Sequence, residues 1–131
     1  MQNFKFHILG NYPNHGQDLE QSLRFELTGK LEKADNLPHT LGADCLDFQI
    51  KSARATVCKG TDLDAYLAID AAKRYIYATA DGTAYIMSRA EYKEFCTRFG
   101  TVTVESKKNG GGSKIRLKSE SKKMREWLER A

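Results

Sequence analysis

Apolar residues recur along this chain with two periods, and the switches between them divide it into elements. From about His15 to Thr28, Leu19, Leu23 and Leu27 return every four residues, the spacing of one helix face. Gly29 is a natural stop, and KADNLPHTLG (33–42) is a polar connector. Residues 4–9 suit a short strand or an arm. LDFQIKSARATV (46–57) alternates polar and apolar positions and predicts one long strand, ended by Lys59-Gly60. Thr61, with Asp64 three residues on, then predicts a capped helix that buries Leu63, Leu67 and Ala71.

The rest of the pattern reads as two hairpins, each followed by a helix. YIYATA (75–80) and TAYIM (83–87) flank Asp81-Gly82, a strong hairpin signal. Ser88 and Glu91 form a capping box before a helix with Tyr92, Phe95 and Phe99 on one face, closed by Gly100. TVTVES (101–106) and KIRLK (114–118) flank a glycine turn. A last helix, 120–130, buries Met124, Trp127 and Leu128. This order is too irregular for a doubly wound parallel sheet. It predicts an α/β (α+β) fold, a mixed β-sheet flanked by helices, in a single domain spanning 1–131.

Composition narrows the class. The length of 131 residues fits one core, and 40% apolar with 29% charged residues is ordinary for a globular protein. The N-terminal apolar run is broken at Lys5, His7 and Asn11, so it does not read as a secretory signal, and no stretch approaches the roughly 20 apolar residues of a membrane span. Cys45, Cys58 and Cys96 are an odd, scattered set that argues against a disulfide framework, and His7, His15 and His39 lie at no zinc-ligand spacing. A cytoplasmic protein with no membrane partner is the expectation. Charge is uneven: the hairpin and helix at 101–131 carry nine Lys/Arg against four Asp/Glu, whereas residues 1–100 are nearly balanced. A basic third attracts polyanions, or simply keeps a surface solvated.

Candidate chemistry concentrates in GADCLDFQIKS (42–52). Strand alternation puts Asp47, Gln49 and Lys51 on one face and Phe48 and Ile50 on the other. An acid, an amide oxygen and an ammonium on one patch suit metal-assisted phosphodiester hydrolysis. A hard divalent cation takes oxygen ligands, and the lysine orients water or offsets phosphate charge. The plain alternative is a solvated edge strand.

The Gly-x-Asp then Gln-x-Lys pattern resembles the PD-(D/E)XK nuclease superfamily, closest to Mrr-like members in which Gln replaces the second acid. The resemblance covers roughly residues 15–99. It implies a restriction-endonuclease-like fold and an Mg²⁺- or Mn²⁺-dependent DNA endonuclease. Asp44 would be the central metal ligand, Gln49 a second oxygen ligand, Lys51 the catalytic lysine and Glu20 an assisting acid from the leading helix. Glu20 and Arg24 also read as a plain i, i+4 pair. Only four residues separate Asp44 from Gln49, so Asp44 reaches the Gln49 face only if the chain turns or bulges near Cys45-Leu46. On a straight strand Asp47 takes its metal role.

Further cations suit a DNA partner: Arg54 and Lys59 after the strand, Lys107 and Lys108 at the glycine turn, and Lys114, Arg116 and Lys118 on one face of the last strand. A two-stranded basic ribbon of this kind can track a phosphate backbone or, equally, stay soluble as an exposed hairpin. Cutting both strands favours a homodimer. The competing readings are a non-catalytic DNA-binding module on the same fold and a protein-interaction domain such as an inhibitor or adaptor.

Overall fold

The computed structural model describes residues 1–7, 22–23, 48–70, 74–104, 106, 108 and 111–131. Within them the order is β1 (Gln2–Lys5), β2 (Phe48–Lys51), β3 (Thr56–Lys59), α1 (Leu63–Ile69), β4 (Arg74–Ala78), β5 (Thr83–Ser88), α2 (Arg89–Phe99), β6 (Gly100–Val104), β7 (Ser113–Leu117) and α3 (Lys122–Arg130). The expected mixed α+β class is what the chain adopts.

Two sheets form. The first has strand order β1-β5-β4-β2, with β2 parallel to β4 and the other pairs antiparallel. A parallel neighbour needs a crossover, and the chain makes it through β3 and α1. The second sheet, β3-β7-β6, is antiparallel throughout.

The larger core lies between the sheets and the helices. Tyr75, Tyr77, Tyr85 and Met87 of the first sheet meet Val57, Cys58, Ile115 and Leu117 of the second, and Tyr92, Phe95, Met124 and Leu128 of the helices complete it. A smaller core of Phe6, Leu23, Ile76, Ala78 and Ala84 covers the opposite face of the first sheet. Strands β4 and β5 are therefore buried on both sides, which is why YIYA and TAYIM are almost unbroken apolar runs. The second sheet is buried on one face only: Ile115 and Leu117 point in, and Arg116 points out.

Helix ends follow the chemistry read from the sequence. Ser88 and Glu91 form the full capping box on α2. Ser121 caps α3, whose Met124 and Leu128 are buried while Trp127 packs at the core margin. The N-cap of α1 is Asp62 and not Thr61; its carboxylate accepts from Ala65 N at 3.0 Å. A carboxylate there also favours the positive helix end.

Three further expectations need correction. The long strand 46–57 is two strands in different sheets: β2 stops at Lys51, a turn occupies 52–55, and β3 begins at Thr56. Arg54 sits in that turn at φ 63°, which extended backbone cannot accommodate. The basic ribbon is not two-stranded, because β3 pairs with the other edge of β7. The β4–β5 hairpin forms around Asp81-Gly82 as expected, but its turn also takes in Ala80: Gly82 N donates to Thr79 O at 3.1 Å and Thr79 N to Thr83 O at 2.9 Å. Gly82 is still required there, since at φ 85° a Cβ would lie 2.6 Å from Phe6 O. Of the predicted first helix, only Ser22 and Leu23 are described; both are helical and buried.

Candidate active site on the edge strand of the mixed sheet

β2 is an edge strand. Register places Gln49 beside Tyr75 and Lys51 beside Tyr77, so the two polar residues share the face of the larger core. Ile50 packs on the smaller core opposite. The expected alternation of Gln49 and Lys51 against their apolar neighbours therefore holds, and both side chains are half-buried. Half-burial of a lysine demands a physical account.

Part of that account is structural. Lys51 Nζ donates to Thr56 O at 2.9 Å, bridging the turn between β2 and β3. Burial pushes the Lys51 pKa below the ordinary lysine value, against the opposing pull of the Asp70 carboxylate. Desolvation disfavours the ammonium, so this amine gives up its proton more readily than a surface lysine.

The second part is a polar network reaching Gln49. Tyr66 on α1 lies near Gln49 and Asp70: burial, then the Asp70 charge, raises its phenol pKa, and the Gln49 side chain opposes that shift. Tyr75, fully buried, donates to Asp70 Oδ2 at 3.1 Å. Burial, followed by the Asp70 charge, pushes the Tyr75 phenol up to about 12, so it remains a donor. Its ring stacks on Tyr92 with centroids 4.0 Å apart and planes 3° from parallel. Asp70 is the C-cap of α1, and Arg89 holds that end in place, donating from its two terminal nitrogens to Leu67 O at 2.7 Å and Asp70 O at 2.8 Å. A guanidinium thus satisfies carbonyls that a helix terminus leaves open.

The neighbouring sulfurs take no part. Burial pushes Cys96 up to about 12 and raises Cys58 as well, so both are neutral thiols and poor nucleophiles or ligands. The donors that converge here are oxygens and one amine.

Asp44, Asp47, Glu20 and Lys107 lie outside the described residues. Gln49 and Lys51 come together as expected. The cations Arg54, Lys59, Lys114, Arg116 and Lys118 do not join them: Arg54 lies in the turn 52–55, the others on the strands of the second sheet or just after them, and Lys108 between β6 and β7. Tyr66, Asp70 and Tyr75 were not anticipated. Tyr66 and Asp70 are spaced i, i+4 at the end of α1, a pairing visible in the sequence, but the packing of that pair beside Gln49 depends on the crossover. Among the described residues, no group of three or more His, Cys, Asp or Glu is placed to hold a metal ion. No described helix is long and apolar enough to cross a membrane. No family model matches the chain, and no curated protein or solved structure is significantly similar to it.

Proposed function

We propose that this chain is a divalent-metal-dependent DNA endonuclease that hydrolyses phosphodiester bonds at the polar face of β2. The observation that carries this reading is the pair Gln49 and Lys51, half-buried on one face of an edge strand and within the electrostatic reach of Asp70. Burying such groups costs stability unless they are paired or used.

The donor set fits a hard cation. Gln49 has a carbonyl oxygen to offer, and Asp70 a carboxylate. These two, with Asp44 or Asp47 as the resemblance implies, would hold Mg²⁺ or Mn²⁺ through oxygen alone. The bound ion would supply Lewis-acid neutralisation of phosphate charge. Lys51, its pKa lowered, takes a proton from the attacking water or places positive charge beside the phosphate. Tyr75 donates to the Asp70 carboxylate and so orients it. Cutting both strands takes two sites, which a symmetric homodimer provides.

One observation favours a second reading, a DNA-binding module without catalysis: the bond from Lys51 to Thr56 O gives the lysine a purely structural task. Plasmid nicking with Mn²⁺ separates the two. The nuclease reading requires cutting by the wild type, and loss of cutting in both Lys51→Ala and Asp44→Asn with folding intact. Wild-type cutting by both variants overturns it.

A further inference from the structure

Three cations of the described fold have carboxylate partners, Lys93 with Asp64, Arg98 with Glu94, and Arg125 with both Asp81 and Glu120, while Lys51 and Arg89 donate to backbone carbonyls. On the outer face of the second sheet, Arg54, Arg116 and Lys118 form no ion pair with any described residue.

The backbone holds this group together. Arg54 is the one described non-glycine residue with positive φ, and three bonds from β7 and its end fix the loop around it. Arg54 N donates to Lys118 O at 3.4 Å, Leu117 N donates to Ala55 O at 2.9 Å, and Arg116 Nε donates to Arg54 O at 2.8 Å. The last bond orients the Arg116 guanidinium and leaves its four terminal N–H donors unspent. Register places Thr56 and Thr101 on either side of Arg116, on the same face, and all three are exposed. Two hydroxyls flank a fixed, planar fork, with Arg54 and Lys118 beside it.

We infer that Arg116, Thr56, Thr101, Arg54 and Lys118 form a subsite for neighbouring backbone phosphates of a nucleic acid, one at each cation. A planar guanidinium with free paired donors matches phosphate oxygens, and hydroxyls add neutral donors. The cluster carries no aromatic or aliphatic side chain to insert into lipid, as a membrane-binding surface would. The subsite adjoins the candidate nuclease strand through the turn 52–55, so it gives the proposed substrate a second anchor. In that sense it rests on the nuclease reading, although its test does not need cleavage.

The test is a titration of fluorescent duplex DNA with metal chelated, repeated across salt concentrations. Arg116→Gln and Lys118→Gln should each flatten the slope of log affinity against log salt by about 0.9. Thr101→Val should weaken binding severalfold at unchanged slope, because it removes a neutral donor. Arg54→Gly takes up positive φ without strain, so it should keep the fold, confirmed by a thermal melt, and still lose one unit of charge from the slope. An unchanged slope in both Arg116→Gln and Arg54→Gly overturns the subsite. So does absence of duplex binding by the wild type, or tighter binding to phosphatidylserine-containing vesicles than to DNA. If the wild type binds with these slopes but never nicks with Mn²⁺, the nuclease reading fails and the subsite stands. If it nicks while the variants keep the full slope, the subsite fails and the nuclease reading stands.

Discussion

Strands β2 and β7 carry the same alternation, FQIK in one and SKIRL in the other, and the fold treats their polar positions in opposite ways. On β7 the residues between the inward Ile115 and Leu117 turn outward, and Arg116 is exposed. On β2 the polar pair faces the larger core, where α1, α2 and the second sheet half-cover it. A strand's sequence sets which residues share a face; what covers that face is set by the rest of the chain. An exposed arginine beside a sheet costs little and is unremarkable by itself. A half-buried glutamine and lysine on one strand face form a costly arrangement, which is why the candidate chemistry is assigned to β2 and only anchoring to β7.

The largest expected effect tests whether the two sheets belong to one cooperative unit. Phe95 is fully buried between them, in contact with the rings of Tyr77, Phe99 and Trp127. Phe95→Ala should cost about 3–5 kcal/mol and lower the melting of both regions in one transition, followed by circular dichroism together with Trp127 fluorescence. Two separated transitions would break the comparison into independent parts.

Alkaline pH should sharpen it next. Burial raises Cys96, Tyr75 and Tyr85 to about 12 in the folded chain, from ordinary values of 9.0 for the thiol and 10.0 for the phenols. The unfolded chain therefore loses these protons first. Stability from these groups is complete below about pH 9 and falls as pH rises toward 12, by at most about 1.4 kcal/mol per pH unit for each group. All three lie in the first sheet or on α2 packed against it, so Tyr75→Phe should flatten the fall of Tm between pH 9 and 11. An equal flattening by Lys114→Gln on β7 would contradict this assignment.

The smallest effect concerns Tyr77, which lies beside Lys51 in the register. Its hydroxyl is buried without a hydrogen-bond partner. Tyr77→Phe removes an unsatisfied polar group without opening a cavity and should raise stability by about 1 kcal/mol. A urea titration that shows a loss instead would mean that this hydroxyl has work on the β2 face.

Much of this fold was legible from local signals. The Ser88–Glu91 box, the β4 and β5 runs, the apolar face of α3 and the inward and outward residues of β7 depend on neighbours in sequence, and they formed as the pattern predicts. The errors came where tertiary pairing decided. A strand from Leu46 to Val57 satisfies alternation throughout, but β3 pairs with β7 and so must leave the first sheet. The break falls at Ser52–Ala55, where Arg54 supplies a positive φ that no composition rule assigns to arginine. The candidate site was half legible for the same reason. Gln49 and Lys51 are adjacent on one strand and visible as a pair, whereas Asp70, Tyr66 and Tyr75 reach them only through the α1 crossover and the parallel β2–β4 register.

In the proposed function, β2 cuts and β7 holds. The most direct measurement is plasmid nicking with Mn²⁺ across a salt series, comparing the wild type with Lys51→Met and Arg116→Gln. The account predicts that Lys51→Met lowers the cutting rate by about 10²–10³-fold at every salt concentration, the usual scale for losing one group that stabilises transition-state charge, with duplex binding retained. It predicts that Arg116→Gln cuts at close to the wild-type rate in low salt and fails progressively as salt rises. Equal cutting by Lys51→Met and the wild type, in protein shown to be folded, would contradict it.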